Sequence, residues 1–262
     1  MPISLRYLML PLLAAAAPAV AQSPFDGTWK ADMASLQIQS RPDSFVLKNG
    51  TYSCSSCTPA YTVPADGAYH AVKGKDYWDD VSFTVVDDRT VKSSYRKGGK
   101  VVAENTFTVS ADGKTLSMAS RNSNNGGNVP VESTGSESRI GAPVAGAHLI
   151  SGDWKAAPPT SSSDANMTMT LAVRDGMLHL KSGIGETLDA KIGGDYTLTV
   201  GDPGKTMTKV SQPDAKTLVL SDMRSGKLVQ TSSYTVGADG KLHGTWKDAQ
   251  TGATGGFTAT RQ

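Results

Sequence analysis

From residue 44 onward the chain is built of short runs in which apolar and polar residues alternate, each run ended by a turn signal. Alternation puts successive side chains on opposite faces of a strand, so each run has one apolar face. Ser44 to Lys48, Asn49-Gly50 and Thr51 to Cys54 predict a hairpin, because Asn-Gly tolerates the positive φ angles of a type I′ turn. Leu171 to Arg174, Asp175-Gly176 and Met177 to Lys181 predict a second hairpin. Val81 to Val86, Thr90 to Arg96, Lys100 to Val109 and Thr115 to Arg121 read as a meander. Its connections are Asp87-Asp88-Arg89, Lys97-Gly98-Gly99 and Ala111-Asp112-Gly113, short enough to force antiparallel pairing of neighbours. No helical period is sustained, although one helical turn fits between Asp32 and Gln39.

The pattern occurs twice. Gly27-Thr28-Trp29-Lys30-Ala31 returns as Gly152-Asp153-Trp154-Lys155-Ala156, and Asn49-Gly50 returns as Asp175-Gly176. Gly67, Tyr69 and Gly74 match Gly194, Tyr196 and Gly201, and Ala111-Asp112-Gly113-Lys114 matches Ala238-Asp239-Gly240-Lys241. The offset steps from 125 to 126 and then holds at 127. Both copies close on an Arg, Arg139 and Arg261. An ordered series at a nearly fixed offset predicts tandem domains. The expected division is a first β-barrel repeat over 22–140, a linker over 141–149 and a second repeat over 150–262. Roughly eight to ten strands per copy suit a closed barrel or a sandwich. The expected fold class is all-β, two tandem antiparallel up-and-down barrels.

Residues 1–21 read as a signal peptide. Arg6 precedes an apolar run from Tyr7 to Ala17, and Pro18-Ala19-Val20-Ala21 offers small residues before a cut between Ala21 and Gln22. The run is shorter than the roughly 20 residues a spanning helix needs, and no membrane span is expected in the mature chain. The expected location is the periplasm or the exterior, where two cysteines can persist as a disulfide. A net charge of +2 with dispersed Lys and Arg gives no electrostatic case for nucleic acid.

Pro24-Phe25-Asp26-Gly27-Thr28-Trp29-Lys30 resembles the opening strand of the calycins, the lipocalins and fatty-acid-binding proteins, which begin on Gly-x-Trp. In lipocalins that Trp closes one barrel end against an Arg from the last strand. The resemblance implies lipocalin-like barrels in which Trp29 pairs with Arg139 and Trp154 with Arg261. The whole mature chain also resembles a group of secreted bacterial proteins of unknown function that share the Gly-Thr-Trp-Lys start, Gly99 to Val102 and Ser110 to Thr115. The copies depart from calycins in their short length and in lacking an Arg-x-Tyr near the end, where Ser138-Arg139-Ile140 and Thr260-Arg261-Gln262 stand. These departures imply narrow barrels filled by their own side chains. Gly244-Thr245-Trp246 repeats the signature late in the second copy, where no barrel-opening role fits.

The sharpest local motif is Cys54-Ser55-Ser56-Cys57, confined to the first copy and opposed by Lys181 and Ile184 in the second. A disulfide staple, a redox dithiol and a metal site are the readings. A thioredoxin-like βαβ context is missing, and a zinc site needs two further ligands. His70, His148, His179 and His243 stand at no ligand spacing from a carboxylate or a second His, and read as surface or turn residues. Asp87-Asp88 reads as turn chemistry. Tyr77-Trp78 reads as either a ligand-contacting pair or aromatics covering a barrel end. Met167-Thr168-Met169 reads as one strand face in the core. No Gly-x-Ser-x-Gly, phosphate loop or His-Glu-x-x-His is present.

The expected function is therefore a non-enzymatic binding module without metal or cofactor, taking a small apolar ligand. The alternatives are a filled-barrel structural or interaction protein of the cell envelope, with an envelope protein as partner, and a redox protein using Cys54 and Cys57. Only the first copy has the cysteines and the Asn/Gly-rich loop at Asn122 to Asn128, so the first copy is where a distinct task is expected.

Overall fold

The computed structural model describes residues 22–262. The signal segment 1–21, with Ala21 of the cleavage site, lies outside the described residues. The chain opens with β1 (Gly27–Ala31), a 3-10 turn over Met33–Ser35 and β2 (Gln37–Gln39). It continues through β3 (Asp43–Lys48), β4 (Thr51–Cys54), β5 (Tyr61–Pro64), β6 (His70–Ala71), β7 (Asp80–Val85), β8 (Thr90–Lys97), β9 (Lys100–Val109), β10 (Thr115–Asn122) and β11 (Val131–Ile140). Then come β12 (Gly152–Ala156), β13 (Ser161–Ser162), a 3-10 turn over Asp164–Met167, β14 (Thr168–Arg174), β15 (Met177–Ser182) and β16 (Thr187–Lys191). The last strands are β17 (Thr197–Leu198), β18 (Met207–Asp214), β19 (Thr217–Arg224), β20 (Lys227–Val236), β21 (Leu242–Asp248) and β22 (Thr254–Arg261).

The fold is all-β and forms two nearly closed antiparallel barrels in up-and-down order. Each sheet has 11 strands, slightly more than expected from the sequence. The predicted hairpins form, with Asn49 at φ 52° and Gly50 at φ 70°, and Asp175 at φ 52° and Gly176 at φ 73°. The helical turn after Asp32 is a single 3-10 turn, in which the Ala34 amide donates to the capping Asp32 carboxylate.

The barrels are offset from the sequence repeats by one strand. The first sheet runs β5-β4-β3-β12-β11-β10-β9-β8-β7-β6, and the second runs β16-β15-β14-β1-β22-β21-β20-β19-β18-β17. β1, at the head of the first repeat, therefore lies between β14 and β22 in the second barrel. β12, at the head of the second repeat, lies between β3 and β11 in the first. This corrects the expected division at residues 140 and 150. Segment 141–149 does not link the barrels; it joins β11 to β12 within the first one, and Ile150 beyond it is buried in that barrel's core. The first barrel is thus a continuous stretch from β3 to β13, inserted into a second barrel built from both ends of the described chain. The crossings are the segments after β2 and after β13.

Each barrel end is closed by the same device. Gly27 and Gly152 open their strands at φ 135° and 137°, a conformation that L side chains rarely adopt. A Cβ there would stand 3.2 Å from Arg261 Cδ or 2.8 Å from an Arg139 guanidinium nitrogen. Glycine therefore leaves the space through which the last-strand Arg passes. Trp29 and Trp154 are both fully buried, and their indole N–H groups donate to Phe25 O and Ile150 O, each at 2.8 Å.

Candidate functional site

The four Arg and Trp residues do form two stacked pairs, but the expected partners are exchanged. Arg139 lies 4.0 Å over Trp154, and Arg261 lies 4.7 Å over Trp29. The reason is the exchange of β1 and β12: Trp154 is opposite Arg139 across β11 and β12, and Trp29 is opposite Arg261 across β1 and β22. Arg139 also donates to Gly113 O at 2.6 Å, to Ser151 O at 2.7 Å and to Leu149 O.

The two interiors differ. In the first barrel Tyr52 stacks on Phe83 at 3.8 Å and on Phe45 at 5.9 Å. Above them Tyr61 meets Trp78 edge-on at 5.6 Å, and Trp78 meets Tyr95 at 5.0 Å. The Lys75 ammonium covers Tyr61 and Trp78 at 5.0 and 5.6 Å. This barrel is filled by its own aromatic side chains. A depression of about 450 Å³ near Tyr69, Ser94 and Glu104 lies on its outer wall, where Ser82, Thr84 and Thr106 face away from the core strands' apolar side.

Cys54 and Cys57 form a disulfide. Cys54 is 4% exposed and packs in the first barrel's core, opposite Phe45 and Tyr61. Register places Leu180, not Lys181, at the equivalent position, since Leu180 faces Leu171 as Cys54 faces Phe45.

The second barrel holds a cavity of about 350 Å³. Its lower wall is apolar, formed by Met169, Leu180, Leu188 and Leu220 with the Tyr234 ring. The rest of the lining is polar: Ser182, Thr208, Asp222 and Arg224 on strands, with Glu186 and Asp202 on the loops after β15 and β17. Burial raises the Glu186 carboxyl, with Asp202 adding to the effect. Burial likewise raises Asp222, against the opposing pull of a Thr208 hydroxyl donating at 2.6 Å and the charge of Arg224. Asp202 is held by the amides of Gly204 at 3.1 Å and Thr206 at 2.8 Å. Burial and the Asp202 charge push the Tyr77 phenol up to about 12.

Tyr77 comes from the first barrel and caps this mouth. Its ring lies against Gly204, where an added Cβ would meet it at 2.9 Å, and Arg224 stacks on it at 4.9 Å. Arg224 also pairs with Asp76 at 3.2 Å. Adjacent residues of one loop thus enter different barrels, Trp78 the first and Tyr77 the second. The Asn122 to Asn128 loop holds this arrangement: Asn124 donates to Tyr77 O at 2.6 Å, and Gly127 N donates to Ile184 O at 2.8 Å. Gly126 packs so closely on Gly185 O that a Cβ would stand 2.5 Å away. The distinctive loop of the first copy therefore serves the mouth of the second barrel.

Three histidines do meet carboxylates: His70 with Asp66 at 2.8 Å, His179 with Asp189 at 2.6 Å and His243 with Asp239 at 3.1 Å. This corrects the expectation that none is so paired; two pairs are four residues apart in tight turns and one spans β15 and β16. Asp87 caps Arg89 N at 2.9 Å, as turn chemistry requires. Met169 lines the cavity, while Met167 falls in the preceding 3-10 turn. Trp246 lies over Gly255 on the neighbouring strand.

Glu186, Asp202, Asp222 and Arg224 were not singled out by the sequence. The signal was present in β19, where Leu218 and Leu220 are followed at the same alternation by Asp222 and Arg224. A polar pair continuing an inward apolar face marks a wet interior.

Two nearly closed antiparallel barrels in tandem are consistent with lipocalin-like repeats. No protein-family model matches the chain, and comparison with curated proteins gives no significant match. Among the described residues no helix is long and apolar enough to cross a membrane.

Proposed function

We propose that this protein is an exported, non-enzymatic binding module that holds one small molecule inside its second barrel. The observation that carries this reading is the cavity of about 350 Å³ under Tyr77, at the small end of the roughly 300–1,000 Å³ range of ligand sites. It is concave, apolar below and set with a few polar groups above, the usual composition of such sites. Export rests on the signal pattern at residues 1–21 and on the disulfide, which suits an oxidising compartment. The filled first barrel acts as the cap, through Tyr77 and the Asn122 to Asn128 loop. Burial of Cys54 supports a staple rather than a redox couple. Lipocalin-like carriers supply the fold analogy, which by itself is weak support for function.

The test is native mass spectrometry of protein purified from its source, compared with a Leu220→Trp variant whose indole fills the cavity. A retained small molecule on the wild type that is lost from a folded variant supports the reading. Retention by both proteins contradicts it, since the ligand would then sit elsewhere.

A further inference from the structure

We infer that the ligand of the second barrel is a small organic cation, an ammonium group on a compact apolar body. This rests on the binding reading above and gives it a chemistry different from the purely apolar ligand the sequence suggested. The cavity offers an apolar floor of leucines at one end and three carboxylates, Glu186, Asp202 and Asp222, at the other. Among the described residues that line it, Arg224 is the one cation; its charge acts on Asp222, and it also pairs with Asp76 and lies over the Tyr77 ring. Three carboxylates against one guanidinium leave the upper cavity with an excess of negative charge.

Partners within the protein are few. Asp202 uses two backbone amides and lies against the Tyr77 phenol, Asp222 uses one hydroxyl, and Glu186 has no side-chain hydrogen bond among those resolved. A buried carboxylate without a cation is unfavourable, and burial raises both Glu186 and Asp222 accordingly. A ligand ammonium beside either carboxylate would relieve that cost there. Tyr77 and Tyr234 line the same space, and aromatic rings attract cations through their quadrupoles. A bare metal ion fits less well: among the described residues no three His, Cys, Asp or Glu groups converge as metal ligands.

The first barrel gives an internal contrast. Repeat alignment sets Tyr95 against Asp222 and Tyr61 against Leu188. Where the first barrel has rings packed to closure, the second has a carboxylate above a leucine floor, which opens the space and charges it.

Isothermal titration of the protein without its signal segment with three matched probes separates the possibilities: phenethylamine (protonated at neutral pH), phenethyl alcohol and phenylacetate. The ammonium is expected to bind about tenfold or more tightly than the alcohol, the size of one charge-assisted hydrogen bond, and phenylacetate to bind weakest. Glu186→Gln and Asp222→Asn are each expected to reduce the ammonium's advantage over the alcohol, with circular dichroism melts showing that the variants are folded. Equal or tighter binding of the alcohol or the anion overturns the cationic ligand and leaves the cavity reading standing, as does ammonium affinity that both variants leave unchanged. Binding of none of the three overturns both.

Discussion

Arg139, on the last strand of the first repeat, lies 4.0 Å over the indole of Trp154, the opening Trp of the second. Trp154 is fully buried, so Trp154→Ala is expected to cost about 3–5 kcal/mol. Arg139→Met keeps much of the stem but leaves three carbonyls without their donor, and is expected to cost about 1–3 kcal/mol. In a double-mutant cycle read by urea unfolding, Arg139 and Trp154 should couple by about 0.5–2 kcal/mol. Arg139 and Trp29, now in different barrels, should show no coupling.

A second prediction concerns pH. Burial, with help from nearby Asp43, pushes the Glu137 carboxyl up to about 7, and its Oε2 is buried without a hydrogen-bond partner. The folded state therefore holds this proton more tightly than the unfolded chain does. Its contribution is fully present below about pH 4.5 and is lost as pH rises to about 7. Glu137→Gln should stabilise the protein at neutral pH by on the order of 1–2 kcal/mol, after discounting for partial exposure of the carboxyl. The gain should vanish near pH 4.5. Thermal melts of both proteins across this window check it; a constant difference at every pH would contradict the assignment.

The disulfide closes a very short loop, with Cys54 and Cys57 three positions apart. By loop entropy a Cys54→Ala, Cys57→Ser double variant should lose about 2 kcal/mol and still fold. Urea unfolding measures this. Failure of the double variant to fold would show that the staple organises the first barrel rather than merely tightening it.

Strands, turns and duplication were legible because alternation and Asn-Gly or Asp-Gly signals are local. The placement of β1 was not. Trp29 and Trp154 carry nearly the same flanking residues, so each strand fits the slot in either barrel, and only the short β11 to β12 connection decides. That connection makes a hairpin of Arg139 and Trp154 and leaves the second barrel's slot to β1. The cavity was legible only in part. Tyr95 and Asp222 align at the offset of 127, yet the capping role of Tyr77 depends on contacts between barrels that no periodicity encodes.

The exchange of first strands carries the account, because it joins the two barrels and brings Tyr77 to the second mouth. It is tested by cysteine cross-linking in the full chain. Thr28 and Thr170 are paired across β1 and β14, with their hydroxyls 3.0 Å apart. Were β1 in the first barrel, Thr28 would instead face Ser44, as Asp153 does. Directly opposed antiparallel residues are within reach of a disulfide. Under mild oxidation the Thr28→Cys, Thr170→Cys monomer is predicted to cross-link and the Thr28→Cys, Ser44→Cys monomer to stay reduced at those positions; the reverse result would contradict the exchange.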